Sequence, residues 1–379
     1  MEHPLLRHHV ESYAVKDEDA VFWQQRFPED APYGADPKWS VFCLCDGHNG
    51  NESVKFLEKR FIDVLLEKLP TETVTDFATA EGRKFGIAIA RAISETFETL
   101  DEEWLIKQKM SGTTVTIAVL HGWFLTVANV GDSLAYLHCN GCIYPMTHDH
   151  RISHSQSEQE RLRNSGVEIA ALNEYGEQGE IGQAPFGPLR AWPGGLAMGR
   201  SFGDLDVHSA VVSRPHITQI EIPPHAGARL VLASDGLWDC LTGKVALKAI
   251  KKTNIASACS KLLNLVQRVG GGFEDDTTVL ILDILSQDDA DLKAPVHPKI
   301  SKTAKMADIV RTLSGNPKKR RKIPMPFFLR IDSLELDRVS SINDSAHGQD
   351  FAKQKMAEYM HSKLSMDSPS PLSSESSDE

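Results

Sequence analysis

Residues 125–146 read LTVANVGDSLAYLHCNGCIYPM, and this stretch decides the fold class. Two β-prone runs, LTVANV and LAYLHC, are separated only by Gly131-Asp132-Ser133, and the second returns through Asn140-Gly141 into CIYP. Asn-Gly is the strongest short hairpin signal, because both positions of a type I′ turn need positive φ. Consecutive strands joined by tight turns, with no helical crossover between them, predict antiparallel pairing and an α+β arrangement rather than a doubly wound parallel sheet. The same turn explains Cys139 and Cys142. Their C-x-x-C spacing brackets the hairpin, and no second pair follows that could complete a structural zinc site.

The run LTVANV also delivers an acid, Asp132, at its end, and that pattern recurs. VFCLCDGHNG at 41–50 delivers Asp46, and LVLASDG at 230–236 delivers Asp235. EDDTTVLIL at 274–282 runs the other way, with Asp275 and Asp276 before the strand. Any one of these reads as an ordinary turn. Together, on strands that alternate in direction, they gather carboxylates at one end of the sheets. Such a cluster stays ionised mainly when a cation neutralises it, since neighbouring carboxylates raise one another's pKa.

The chain has 379 residues, 41% of them hydrophobic, which suffices for one large domain with additional sequence. A net charge of -11 argues against nucleic-acid binding along the whole chain. There is no apolar run of membrane-spanning length and no apolar signal-peptide core at the N-terminus, so no membrane association and an intracellular location, nuclear or cytoplasmic, are expected. The six cysteines show no disulfide framework. Helical spacing of apolar residues predicts helices over 51–68, 85–109, from 155 to just before Ser165-Gly166, and over 256–269. One domain is expected over 1–286. Residues 287–379 read as a mostly disordered tail, rich in Ser, Pro and acids toward its end, with the basic run PKKRRK at 317–322 as a nuclear-localisation candidate. MPFFLRIDSLEL at 325–336 is the exception within the tail, apolar enough to dock or to form a short helix.

Taken in order, KDEDAVF, DGHNG, SGTTVTIAVL, VANVGDSLAYL, MTHDHRIS, WPGGLAMGRSFGD, LVLASDGLWD and EDDTTVLILD resemble the motifs of the metal-dependent type 2C Ser/Thr protein phosphatases, most closely a plant-type subgroup. The resemblance runs in register from about Tyr13 to Ile284. It implies a central sandwich of two mainly antiparallel sheets flanked by helices on both sides. It also implies two Mg²⁺ or Mn²⁺ ions, which suits the acids found here, because hard divalent ions prefer oxygen ligands. By this resemblance Asp46 bridges the ions and Asp235 and Asp275 complete one site. The Gly47 carbonyl and Glu18 complete the other, with Asp19 supporting its water shell. Asp132 and Asp239 match positions that hold a weaker third ion in some members. A metal-activated water then attacks phosphorus, and His48 matches the general acid. The implied partners are phosphorylated proteins, and a monomer is expected.

The sequence departs from the family pattern at Ala14, where many members carry an arginine that grips the substrate phosphate. Lys16 offers a point charge there without bidentate geometry. Leu134 stands where an arginine usually follows the GDS motif, and Asp276 where many members have asparagine. The rival functions are a catalytically weak phosphatase-like binding protein, suggested by Ala14, and a DNA-associated protein, suggested only by PKKRRK and unsupported by any groove-reading motif. His148, Asp149 and His150 read as loop-ordering residues, since the carboxylates already account for the ions.

Overall fold

The computed structural model describes residues 3–286 apart from 28–37, 73, 75, 78, 174–176, 180–185 and 225, together with residues 295 and 328–331. In chain order its strands are β1 (Leu5–Tyr13), β2 (Asp19–Arg26), β3 (Trp39–His48), β4 (Gly112–His121), β5 (Phe124–Val130), β6 (Leu134–Cys139), β7 (Cys142–Pro145), β8 (Glu168–Leu172), β9 (Phe186–Trp192), β10 (Phe202–Gly203), β11 (His216–Glu221), β12 (Ala228–Ala233), β13 (Thr277–Leu285) and β14 (Phe328–Ile331). The helices are α1 (Glu52–Lys68), α2 (Ala80–Leu105), α3 (Gln156–Asn164), α4 (Asp235–Trp238), α5 (Gly243–Ile250) and α6 (Ile255–Val269).

Two sheets form, ordered β1-β13-β12-β6-β7 and β14-β11-β5-β4-β3-β2, with β10 paired beside β4 and β8-β9 as a separate hairpin. Neighbouring strands in both are antiparallel. The pairing follows from the turns that the sequence offers. Asn140 and Gly141 adopt φ of 49° and 76°, and Cys139 faces Cys142 across the hairpin with both thiols free. Gly131, at φ 92°, lets the chain leave β5 against Thr114, whose side chain a Cβ there would meet at 2.5 Å.

Alternation along the strands builds two apolar layers. Phe42, Leu44, Leu125 and Val127 of one sheet meet Leu137, Leu230, Leu232, Leu280 and Leu282 of the other between the sheets. Val231, Ala233, Val279 and Ile281 point the opposite way, onto Leu247, Ile250, Leu262 and Val266 of α5 and α6. On the far sheet α1 packs against α2 and against β2, β3 and β4. Helices therefore cover both outer faces, as the resemblance implies.

The helices differ from expectation in the bounds of α2 and in the presence of the one-turn α4 and of α5. The second helix begins at Ala80, because Thr79 caps it by accepting from the Gly82 N–H at 3.0 Å, and it ends at Leu105. The eight-residue α5, capped by Thr242, was not anticipated. Within 325–336, Phe328–Ile331 pairs with β11 as an edge strand rather than forming a helix. The run PKKRRK at 317–322 and nearly all the rest of the tail lie outside the described residues.

The topology places the acids together. β3 and β5 run in the same direction, since β4 is antiparallel to both, so Asp46 and the turn carrying Asp132 share one end. In the other sheet the exit of β12, leading to Asp235, lies beside the entry of β13, which follows Asp275 and Asp276. The link between β1 and β2 crosses from one sheet to the other and carries Ala14, Lys16, Asp17 and Glu18.

Candidate metal centre

Asp46 lies opposite Asp19 of β2 and Thr114 of β4 in the strand register. Burial pushes its carboxyl well above the ordinary aspartate range, and the charges of Asp235, Asp19, Asp132 and Asp275 push it further. Asp235 rises to about 6 through burial and through Asp239 and Asp275, against the lowering effect of Arg151 and Lys16. Asp132 rises to about 7, again by burial first and then by Asp235, with Arg151 opposing. Asp19 rises to about 6 by burial, partly offset by nearby Thr278 and Ser234. Among the described residues neither oxygen of Asp19 accepts a hydrogen bond. Five aspartates thus sit within electrostatic reach of one another, with more negative charge than Lys16 and Arg151 offset.

The backbone around the cluster is fixed by Asp276. Its Oδ1 accepts the N–H groups of Val15 (2.5 Å), Lys16 (2.6 Å) and Asp17 (3.3 Å), and its Oδ2 those of Glu18 (2.7 Å) and Asp19 (3.3 Å). Burial alone would raise this carboxyl. The N–H groups of Glu18, Lys16, Val15 and Asp17 outweigh burial and hold it below its ordinary value. The loop's N–H groups therefore form an anion receptor that the Asp276 carboxylate fills, clamping the segment that presents Glu18. Glu18 in turn accepts the Gly50 N–H through Oε1 at 2.8 Å, and its carbonyl accepts the Gly47 N–H at 3.2 Å. A Cβ at Gly47 would lie 2.8 Å from the Glu18 carbonyl and 2.9 Å from Val54, so only glycine lets the two loops close.

Two cations draw acids outward. Lys16 Nζ donates to Asp275 Oδ2 at 2.7 Å, and Arg151 Nη1 donates to Asp239 Oδ1. With Asp275 and Asp239 so engaged, no three acidic, His or Cys side chains converge on one point among the described residues. The sequence-predicted ligands are thus gathered at one end of the sandwich, with Asp46, Asp19, Asp132, Asp235 and Asp275 mutually close and Asp239 turned to Arg151. Ala14 is exposed beside this cluster.

His48 stands at the end of β3, and its Nε2 donates to both oxygens of Asp204, at 2.7 and 2.9 Å. Burial pulls the imidazole pKa down. The hydrogen bond and charge of Asp204, aided by Asp132 and Glu18, outweigh it, so the net shift is upward. Ser201 donates to Asp204 Oδ2 at 2.6 Å, and a Cβ on Gly112 would fall 2.3 Å from the carboxyl, so Asp204 is held from both sides. The Gly203 N–H donates to Asp101 Oδ1 at 2.9 Å, tying this turn to α2.

The HDHR segment orders its own loop, as the sequence reading has it. Asn129 Nδ2 donates to the His148 carbonyl at 2.7 Å, and His150 Nδ1 donates to the Gly131 carbonyl at 3.0 Å. Sequence reasoning missed the roles of Asp204, Asp276 and Arg151. The signals available were the acid closing RSFGD, the doubled acid at 275–276 and the arginine closing DHR.

Residues 7–270 match the family model for "Protein phosphatase 2C". That range holds every site residue above except Asp275 and Asp276, whose places follow from β13. Among curated proteins the chain is 36% identical over 299 residues to "Probable protein phosphatase 2C 15" of Oryza sativa subsp. japonica, covering 79% of this chain and 63% of that protein. It is 36% identical over 286 residues to "Probable protein phosphatase 2C 5" of Arabidopsis thaliana, covering 75% and 63%. The chain thus spans somewhat under two thirds of these relatives, and both are plant proteins, in line with the plant-type resemblance. Among solved structures, serine-threonine phosphatase 2C from Toxoplasma gondii shares the fold, with TM-score 0.54, 17% identity, and 74% of this chain and 99% of that one covered. The structure of a C. elegans sex determining protein matches with TM-score 0.56 and 19% identity over 75% of this chain and 66% of that one.

Proposed function

The chain belongs to the protein phosphatase 2C family, and on that premise we propose that it hydrolyses phosphoserine and phosphothreonine in proteins with Mg²⁺ or Mn²⁺. The observation that carries this reading is the buried carboxylate cluster centred on Asp46, with His48 and Asp204 beside it. The donor chemistry of the cluster, carboxylates with one backbone carbonyl, is the kind hard divalent ions prefer. Burial and the neighbouring acids raise the pKa of Asp46 and Asp235, and both buried oxygens of Asp19 lack hydrogen bonds among the described residues. Asp46 would be shared by two ions, Asp235 and Asp275 would hold one, and the Gly47 carbonyl with Glu18 the other. When bound, the ions supply an acidified water and neutralise phosphoryl oxygens.

This chain's own contribution is proton supply. The Nε2–H of His48 is committed to Asp204, while Nδ1 has no hydrogen-bond partner among the described residues. The Asp204 carboxylate favours the protonated ring, and with Nε2–H held there Nδ1 is the nitrogen from which a proton can pass to the departing serine or threonine oxygen. Asp204 holds the ring and stabilises the imidazolium. Ala14 leaves the phosphate without a guanidinium at that position, which supports weaker ground-state binding of substrate than in relatives that keep the arginine. Nuclear localisation through 317–322 is part of the same proposal and rests on composition alone.

Phosphate release from a phosphoserine peptide and from an aryl phosphate, by wild type and His48→Ala, tests the reading. General acids contribute about 10² to 10⁴-fold, so the peptide reaction should slow by that order and the aryl reaction far less, because a phenolate leaves without a proton. Equal losses on both substrates would remove His48 from the role of acid. No phosphate from the peptide with wild type and Mn²⁺ would remove the phosphatase function.

A further inference from the structure

The resemblance reserves Asp132 and Asp239 for a weak third ion, and the structure puts a side chain of the protein between them. Arg151 Nη1 donates to Asp239, its Nε lies 3.2 Å from each oxygen of Asp149, and its Nε is 3.8 Å from Asp132 Oδ2. The Arg151 side chain is 18% exposed and the Asp132 side chain 10%. This is not a surface arginine resting on whichever acid is near. Its backbone N–H donates to Asp149 Oδ1 at 3.0 Å, and the next residue, the fully buried Ile152, donates its N–H to Ala197 at 2.8 Å. One residue earlier, the buried His150 ties the loop to the Gly131 carbonyl, directly before Asp132.

The acid on the other side is more open, its side chain 56% exposed, but the backbone that carries it is held. Asp239 follows α4, and the neighbouring Trp238 donates its Nε1–H to the carbonyls of Ala233 at 2.8 Å and Leu134 at 3.0 Å. Three carboxylates on separate backbone segments therefore converge on one guanidinium, which offsets part of their charge at the position between Asp132 and Asp239. A guanidinium cannot lose its proton near neutral pH, so it leaves only by moving away as a cation. A divalent ion entering between Asp132 and Asp239 would either displace it from anchored partners or sit against a like charge in a half-buried site.

We propose that the guanidinium of Arg151 takes the place of the third divalent ion, so that the site accepts two ions and keeps its third cationic position as part of the polypeptide. The inference rests on the two-ion reading of the centre above. It also implies that the charge at this position does not vary with the concentration of free metal ion.

The test is the number of Mn²⁺ ions bound by the full chain at saturating free Mn²⁺, measured by equilibrium dialysis with metal analysis, alongside thermal melting to show folding. Wild type should bind two. Arg151→Met, which keeps the stem and removes the charge, should bind a third, and Arg151→Met combined with Asp239→Asn should return to two. Asp239→Asn alone should stay at two, and this arm does not depend on Arg151→Met folding. Three ions in wild type, or the loss of one ion in Asp239→Asn alone, would overturn the proposal while leaving the phosphatase reading intact. A folded Arg151→Met that stays at two would overturn it as well. Wild type binding none would overturn both.

Discussion

Asp46→Asn should abolish phosphopeptide hydrolysis and at the same time raise the melting temperature of the metal-free chain. Loss of a residue that only supports a ligand typically costs about 10 to 100-fold in metal affinity or activity, and a ligand shared by two ions should cost more. The stability effect has the opposite sign. In the folded chain Asp46 is buried among Asp235, Asp19, Asp132 and Asp275, and its pKa lies well above the ordinary value. The unfolded chain therefore holds fewer protons at this residue than the folded one above an ordinary aspartate pKa of about 3.9, and stability falls as pH rises through that window. Asparagine has no charge to bury, so the metal-free variant should gain on the order of 0.5–2 kcal/mol at neutral pH and little at pH 3. Added Mn²⁺ should stabilise wild type by mass action and the variant hardly at all. Melting scans with and without Mn²⁺ at the two pH values check each part, and a lower melting temperature for metal-free Asp46→Asn at neutral pH would contradict the account of the cluster.

Arg229→Ala should produce the largest loss of stability of any single substitution considered for this protein. Arg229 and Asp283 face each other across β12 and β13 and are each 1% exposed. Arg229 Nε and Nη2 donate to the two carboxylate oxygens at 2.6 Å, and Nη1 donates to the carbonyls of Ile250 and Thr253 at 2.8 Å. Removing the arginine takes the bidentate partner from a buried carboxylate and one donor from the Thr253 carbonyl, while the Ile250 carbonyl keeps the Thr253 N–H at 3.0 Å. Breaking a buried pair from one side costs about 3–5 kcal/mol, whereas replacing both members by apolar residues of similar volume is often neutral or stabilising. Arg229→Met combined with Asp283→Leu should therefore recover most of what Arg229→Ala loses. Denaturant unfolding with an unchanged slope checks both, and a loss below about 1 kcal/mol for Arg229→Ala would show that water or a neighbouring group compensates.

What could be read from the sequence was whatever local chemistry dictates. Asn140-Gly141 set the hairpin, helical spacing of apolar residues set α1, α3 and α6, and acids at strand ends set one pole of the sandwich. Helix α5 escaped because GKVALKAI spans only about two turns and its cap, Thr242, has no strong periodic pattern behind it. The first turns of α2 escaped because 80–84 is polar and includes Gly82. That glycine is there for packing, since a Cβ would come within 2.3 Å of the Asp76 carbonyl. At the site, residue types were legible and pairings were not. Asp204 meets His48 across 156 positions, Arg151 meets Asp239 across 88, and Asp276 collects its N–H donors across about 260. No spacing rule reaches that far. Ala14 shows the complementary limit, since the missing arginine was plain in the sequence while the engagement of Lys16 with Asp275 required the folded chain.

The most direct measurement of the central claim is hydrolysis of a phosphothreonine peptide by the purified chain stripped with chelator, followed as Mn²⁺ or Mg²⁺ is titrated back. The account predicts no turnover above background in the stripped protein, activity that rises and saturates with either ion, and none at any ion concentration for Asp46→Asn. Full turnover in excess chelator would contradict it.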